Sequence, residues 1–259
     1  MILRKIWMLT ILLFTCLFYT SDVCAFTDSR EAYEKTGKVI WEVNTKEKMV
    51  SITFDDGPHP LFTPQILDIL AKYHAKATFF VVGNKVELYP DVLQRIKKEG
   101  HEIANHTNKH IYSRNLTSAT LTAELEKTDK IIQQITGDKP TLYRPVGGLY
   151  NDVIINTAIK NGKMVILWSW HQDPEDWKKP GANKISRHIT KSVQPGNIIL
   201  LHDWIGSGGG KTSQTVKALE SIMEFLSLNG YKCVTVSELL YQSSTITPSP
   251  FDPFQPKKD

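Results

Sequence analysis

From Lys48 onward the chain alternates short apolar runs with segments of helical period, and few folds accept that order. The runs cover 49–54, 77–82, 102–105, 141–144, 164–170, 197–202 and 232–236. They are rich in Val, Ile, Phe and Thr, which fit a pleated, half-buried surface. The intervening segments carry helix signals. Thr63 is placed to cap a helix with Pro64 at its first position, and Ile66, Leu67, Leu70 and Tyr73 recur on one face. Pro90 opens the next helix and Gly100 closes it. A third, 117–136, has Leu121, Leu125, Ile132 and Ile135 as its stripe and Gly137 as its stop. Segments 151–161, 182–193 and 212–229 read likewise. Strand then helix, repeated six or seven times, predicts a parallel α/β fold: an irregular or incomplete (β/α) barrel of about seven parallel strands, with a doubly wound open sheet as the alternative. Either architecture gathers ligands at the carboxyl ends of its strands.

The first 25 residues stand apart. Arg4 and Lys5 precede an apolar run from Ile6 to about Thr20, followed by small residues at Val23-Cys24-Ala25. That is the layout of a secretory signal peptide cleaved after Ala25. An uncleaved anchor is the alternative, although the run is short of the ~20 residues a spanning helix needs. The domain layout expected is therefore leader 1–25, extension 26–45, main domain 46–242, and a Pro-rich tail 243–259 with little to bury. The protein is expected to be secreted or held at the cell surface.

Of three cysteines, Cys16 and Cys24 lie in the leader, so the mature chain keeps Cys233 alone and forms no internal disulfide. Its stability must come from its core. Net charge is +4, and removing the leader's Arg4, Lys5 and Asp22 leaves 29 basic and 26 acidic residues, or +3. This mild excess suits anionic wall polymers or a plain solvated surface. Arginines do not alternate with aromatics, so nucleic acid is not an expected partner.

The polar candidates cluster in a telling way. Asp55 and Asp56, in Thr53-Phe54-Asp55-Asp56-Gly57-Pro58, end the first run. Alone, Asp-Gly-Pro is ordinary turn chemistry. His106 and His110 follow the third run, four residues apart, a spacing that suits one metal but is common on surfaces. Arg144 closes the fourth run, Asp173 and Trp177 follow the fifth, and His202 closes the sixth. Each alone reads as a surface residue. Together they all sit just past the carboxyl end of a strand, where this architecture places its active site.

Here the sequence resembles the polysaccharide deacetylases of carbohydrate esterase family 4, the NodB homology domain. The resemblance covers about 46–240, with the five family motifs in order. Thr-Phe-Asp-Asp-Gly-Pro and His-Thr-x-x-His are specific as a pair, and Asp-x-x-Asp-Trp and Leu-x-His support them. One motif departs: Val146 occupies the usual proline position after Arg144, while Gly148 matches.

The resemblance implies that Asp56, His106 and His110 bind one divalent ion, zinc first, with cobalt, nickel, iron or manganese compatible with the ligand types. It implies Asp55 as general base, Arg144 as its partner, His202 as general acid, and Asp173 as the residue holding His202. It further implies Gly147 as a backbone oxyanion donor, with Trp177 and Leu200 lining an acetyl pocket. Thr107 itself reads as a structural residue that fixes the His106 to His110 turn by hydrogen bonding. The remaining histidines read as packed or exposed. The expected reaction removes N-acetyl groups from N-acetylglucosamine in a cell-wall polysaccharide, peptidoglycan or chitin-like, releasing acetate. No protein partner is required. Acetyl xylan esterase chemistry is the alternative within the family, and a non-catalytic wall-binding protein is the alternative outside catalysis. A two-histidine, one-carboxylate iron oxygenase would leave Asp55, Arg144 and His202 without roles.

Overall fold

The computed structural model describes residues 30–112, 116–204 and 213–242. The leader 1–25 and the tail 243–259 lie outside them. Helix α1 (Arg30–Lys35) belongs to a separate unit ending at Thr36, and carries the (i, i+4) ion pairs Arg30–Glu34 and Lys35–Glu31.

The main unit, from Gly37, runs in order β1 (Val39–Ile40), β2 (Met49–Asp55), α2 (Phe62–Lys72), β3 (Ala77–Val81), α3 (Gly83–Leu88), α4 (Pro90–Lys98) and β4 (Glu102–Asn105). It continues with α5 (Ser118–Thr136), β5 (Leu142–Tyr143), α6 (Asp152–Lys160), β6 (Met164–Ile166), α7 (Ala182–Ser192), β7 (Ile198–His202), α8 (Gln214–Leu228), β8 (Lys232–Cys233) and α9 (Val236–Gln242). Short 3-10 turns lie at Val146–Gly148 and Asp176–Lys178. Every ladder is parallel, in the order β1-β6-β5-β4-β3-β2-β7, with β8 also paired to β2. The sheet curls into the incomplete (β/α) barrel expected from the sequence.

Strand periodicity sorts two cores. Val50, Ile52 and Phe54 of β2, with Ala77, Phe79 and Val81 of β3, face outward. There they meet Ile66, Leu67 and Leu70 of α2, Leu93 and Ile96 of α4, and the inner stripes of α5, α7 and α8. Met49, Phe80, Ala104, Leu142, Ile166 and Ile198 face inward and fill the barrel. Val236, Leu239 and Leu240 of α9 join them and close its amino end. There half-buried Glu102 accepts from Thr78 Oγ1 (2.7 Å) and Ser237 N (3.2 Å), so the inward carboxylate is bonded rather than stranded.

Some boundaries differ from expectation. The sheet starts before Lys46, because β1, inside the segment read as an extension, pairs with β6. Two residues carry no readable alternation. Run 164–170 is a strand only to Ile166, after which the chain leaves the ladder. Thr63 lies within α2 rather than capping it; the N-cap is Leu61. The Thr63 hydroxyl instead accepts from His59 N (2.8 Å) and donates to Asp203 (2.5 Å). Thr117, Asn151 and Ser213 are true caps of α5, α6 and α8, and Gly137 ends α5 in the left-handed region.

Gly196 locks the turn into β7 against the chain after β1. It has φ +83°, its N donates to Met49 O (2.7 Å), its carbonyl accepts from Val43 N (2.9 Å), and an added Cβ would sit 1.7 Å from Val43 O. Backbone cannot yield there as a flexible side chain would. We expect Gly196→Ala to destabilise the fold by ~3 kcal/mol or more, lowering Tm by roughly 6–12 °C. Gly162→Ala, at φ +70° with open space around it, should cost only the conformational strain, about 1–2 kcal/mol. Thermal melts of both variants check the contrast; equal losses would contradict it.

Candidate active site

The inward faces of β2 and β7 bring the first functional groups together. Asp55 ends β2 and His202 ends β7, and the two are register partners. Arg144, just past β5, is fully buried beneath them. Its Nη1 donates to Asp55 Oδ1 and Thr53 Oγ1 (both 2.7 Å), its Nε to Ile166 O (3.1 Å) and its Nη2 to Leu167 O (2.9 Å). Phe80 lies 4.0 Å beneath the guanidinium. Burial pushes the Arg144 pKa down, and the Asp55 carboxylate opposes that shift. The pairing of Arg144 with Asp55 is thus as expected from the sequence.

Beyond β2 the chain turns sharply. Asp56 takes φ +75°, and Lys85 Nζ donates to its carbonyl (2.7 Å). The turn directs the Asp56 carboxylate to the histidines rather than to Arg144. Asp56 Oδ1 lies 2.8 Å from His110 Nε2 and 3.4 Å from His106 Nε2. Burial alone would raise the Asp56 pKa, but hydrogen bonds to the two imidazoles carry it far below the usual carboxylate range. Among the described residues these three form the group able to hold a metal ion. The donor set also fits one: His106 Nδ1 donates to Arg144 O (2.8 Å), which fixes the ring so that Nε2 faces Asp56, where it could ligate an ion.

The turn between the two histidines is held from both sides. The carbonyls of Thr107 and Asn108 accept from Gly83 N and Asn84 N at the start of α3 (both 3.0 Å). Gly83 is needed for that approach, since a Cβ there would lie 2.6 Å from Asn108 Oδ1. Thr107 and His110 both adopt positive φ, 68° and 54°. Thr107 does not brace the turn with its side chain as expected: its hydroxyl is buried without a hydrogen-bond partner, and its main chain makes the bonds instead.

The largest correction concerns His202. Asp173 does not hold it. Asp176, one helical turn later, places Oδ1 2.6 Å from His202 Nδ1, and its Oδ2 accepts from His202 N (2.9 Å) and Thr215 Oγ1 (2.7 Å). Asp173 Oδ1 accepts from Glu175 N (2.8 Å), starting the turn that swings Asp176 back to β7. The Asp-x-x-Asp-Trp motif contained the answer, but spacing alone did not say which aspartate returns. Burial lowers the His202 pKa, yet the Asp176 hydrogen bond and charge outweigh it and lift the value to about 9.

Leu200 lies buried on β7, two residues before His202 and on the same face. Trp177 follows Asp176 with half its surface open. Gly147 is exposed at φ +63°, and Gly148 must be glycine because a Cβ would meet Trp168 at 2.5 Å. Val146, the departure from the family motif, is fully buried within this loop. Among the other histidines, His101 is packed, accepts from Ala77 N (3.2 Å) and is pushed down to about 4 by burial. His59 stacks on Phe62, while His74, His171 and His188 are exposed.

This arrangement has relatives. The family model described as polysaccharide deacetylase matches residues 42–166. A peptidoglycan-N-acetylglucosamine deacetylase of Bacillus cereus is 46% identical over 211 residues, covering 82% of this chain and 97% of that protein. The chain belongs to the polysaccharide deacetylase family. A chitooligosaccharide deacetylase of Bradyrhizobium sp. is 32% identical over 200 residues, covering 74% of this chain and 90% of that one. The crystal structure of the Bc1960 peptidoglycan N-acetylglucosamine deacetylase superimposes with a TM-score of 0.75 at 30% identity, covering 82% of this chain and 96% of that one.

For a deacetylase of this metal-dependent family, Asp176 and Asp173 make separable predictions. Asp176→Asn should cut kcat/KM by about 10²-fold or more, because His202 loses both its tether and the charge that keeps it protonated. With the His202 pKa lowered, the alkaline limb of the rate profile should move to lower pH. Asp173→Asn should stay within about tenfold of the parent with the limb nearly in place. A pH–rate series on both variants checks this, and the reverse ranking would restore Asp173 as the partner.

Proposed function

We propose that this protein is an exported, zinc-dependent deacetylase that removes N-acetyl groups from N-acetylglucosamine residues of a cell-wall polysaccharide. The observation that carries the reading is the convergence of Asp56, His106 and His110 with a buried carboxylate, Asp55, and a charged imidazole, His202, at one end of the barrel. The relatives, deacetylases of peptidoglycan and of chitooligosaccharides, support the substrate class. The signal-like leader supplies the expected location, secreted or at the cell surface.

A divalent ion held by Asp56, His106 and His110 would supply a Lewis acid and an acidified water. The chain's own groups do the rest. Asp55, aimed by Arg144, takes a proton from the attacking water. His202, with Nδ1 tied to Asp176, presents Nε2 to the departing nitrogen and donates its proton there. Water adds to the acetyl carbon, the C–N bond breaks, and acetate and a free amine leave. The Gly147 N–H, on an exposed left-handed turn, serves the oxyanion, while Trp177 and Leu200 bound the acetyl methyl. The parallel barrel disfavours the iron-oxygenase reading, whose ligands usually sit on a double-sheet β fold.

Acetate release by a fragment 26–259, from N-acetylglucosamine oligomers, peptidoglycan and acetylated xylan, tests the proposal. Release should stop with chelator and return with zinc. Asp55→Asn should keep its metal and lose turnover by ~10³-fold or more, whereas His106→Ala should lose both. Metal-bound, folded protein that releases acetate from none of these substrates would favour a non-catalytic wall protein, and release from xylan alone would move the substrate to O-acetyl esters.

A further inference from the structure

The turn that carries the histidines is built around a carboxylate that does not belong to it. Glu124, on α5 and nearly excluded from solvent, accepts from Asn108 N (2.9 Å) and Lys109 N (2.7 Å) with one oxygen, Oε2. The preceding amide, Thr107 N, donates to Asn105 Oδ1 (2.8 Å). Asn105 is fastened to the same helix, donating from Nδ2 to Leu125 O (2.9 Å) and Asp129 Oδ1 (2.8 Å). Thus the three consecutive main-chain N–H groups between His106 and His110 all point to side-chain oxygens fixed by α5. Asp129 is in turn held by Lys163 Nζ (2.5 Å), a lysine with no exposed surface.

We propose that Glu124 is a positioning residue for the metal site, setting the separation and aim of His106 and His110 from behind the sheet. The physical reason is strain. Thr107 and His110 hold positive φ, where side chains other than glycine are disfavoured, so the turn relaxes unless its amides are captured. A charged acceptor shared by two adjacent N–H groups captures them more strongly than a neutral one. Glu124 touches neither the ion site nor substrate; it acts through the turn. The inference rests on the metal reading above, so its test must separate the two.

Zinc affinity, measured by competition with a chromophoric chelator on the full-length protein, reads the effect without turnover. Glu124→Ala should bind zinc ~10–100-fold more weakly than the parent, the range typical of groups that orient metal ligands. Glu124→Gln, which keeps an acceptor oxygen, should recover most of that loss. Glu126→Ala, exposed on the same helix, should change nothing. The visible spectrum of the cobalt-loaded protein should shift in Glu124→Ala and not in Glu126→Ala, which a general loss of stability would not produce. If Glu124→Ala does not fold, Glu124→Asp decides, because it keeps the charge but withdraws the oxygen by one methylene: weaker zinc binding supports the proposal and parental binding overturns it. His110→Ala separates the two claims. A parent that binds no zinc, or a His110→Ala variant that binds as tightly, sinks the metal reading itself. Parental affinity in Glu124→Ala, with His110→Ala impaired, sinks only the role of Glu124.

Discussion

The site hangs on one buried cation. Arg144 occupies the middle of the barrel with no exposed surface, and four of its N–H donors are fixed by Thr53, Asp55, Ile166 and Leu167. Removing such a charge from water costs several kcal/mol, recovered only if geometry and remaining donors are both satisfied. Here a rigid planar fork meets acceptors from two neighbouring segments, β2 and the end of β6, which the compact ammonium of a lysine could not span. The same residue acts twice. Its side chain aims Asp55, and its carbonyl accepts from His106 Nδ1. The base and one metal ligand are therefore positioned by two ends of one residue, so a shift in β5 moves both together.

What lies beneath Arg144 explains why this works. The lower barrel is mostly apolar, with Phe80 against the guanidinium and α9 closing the amino end, and its inward carboxylate, Glu102, is bonded to Thr78 and Ser237. The polar groups that serve the site lie above Phe80, toward the carboxyl ends. Strain collects at the same end: Asp56, Thr107 and His110 all take positive φ, and each sits in a loop whose amides or carbonyls are captured by neighbours. A firm lower core and a strained upper rim are two sides of one arrangement.

Much of the fold and of the site is legible in the sequence, and what is not has a physical cause. Strands of four residues or more, β2, β3, β4 and β7, announce themselves by composition, and the shorter β5, β6 and β8 lie inside longer apolar runs; two-residue β1 falls in the segment that reads as an extension. Asp55, Asp56, His106, His110, Arg144 and His202 are legible as a cluster because each lies at or shortly beyond the carboxyl end of a strand, and the fold collects those ends. Thr53 was also within reach, since it lies two residues before Asp55 and strands repeat at two. Glu124 was not. It meets the histidine turn from a helix 16 residues away, and no local pattern encodes a contact made by packing α5 against β4. The choice of Asp173 over Asp176 failed for a similar reason, because a loop's return path is set by what it lands on.

That landing point shows how an incomplete barrel serves the chemistry. After Ile166 the chain abandons the ladder, yet Ser169 N still reaches Ile198 O (3.0 Å) and Leu200 N reaches Gln172 O (2.9 Å). Irregular chain thus takes the place of a strand beside β7. Where the next rung would fall, the acceptor for His202 N is the Asp176 carboxylate instead of a peptide carbonyl. A closed ladder would have offered His202 N a neutral oxygen and placed no carboxylate beside its half-buried ring. The break admits a full negative charge at the strand's end, one oxygen on the backbone and the other on the ring. The same irregularity that obscures the strand in the sequence is what keeps the imidazole charged in the fold.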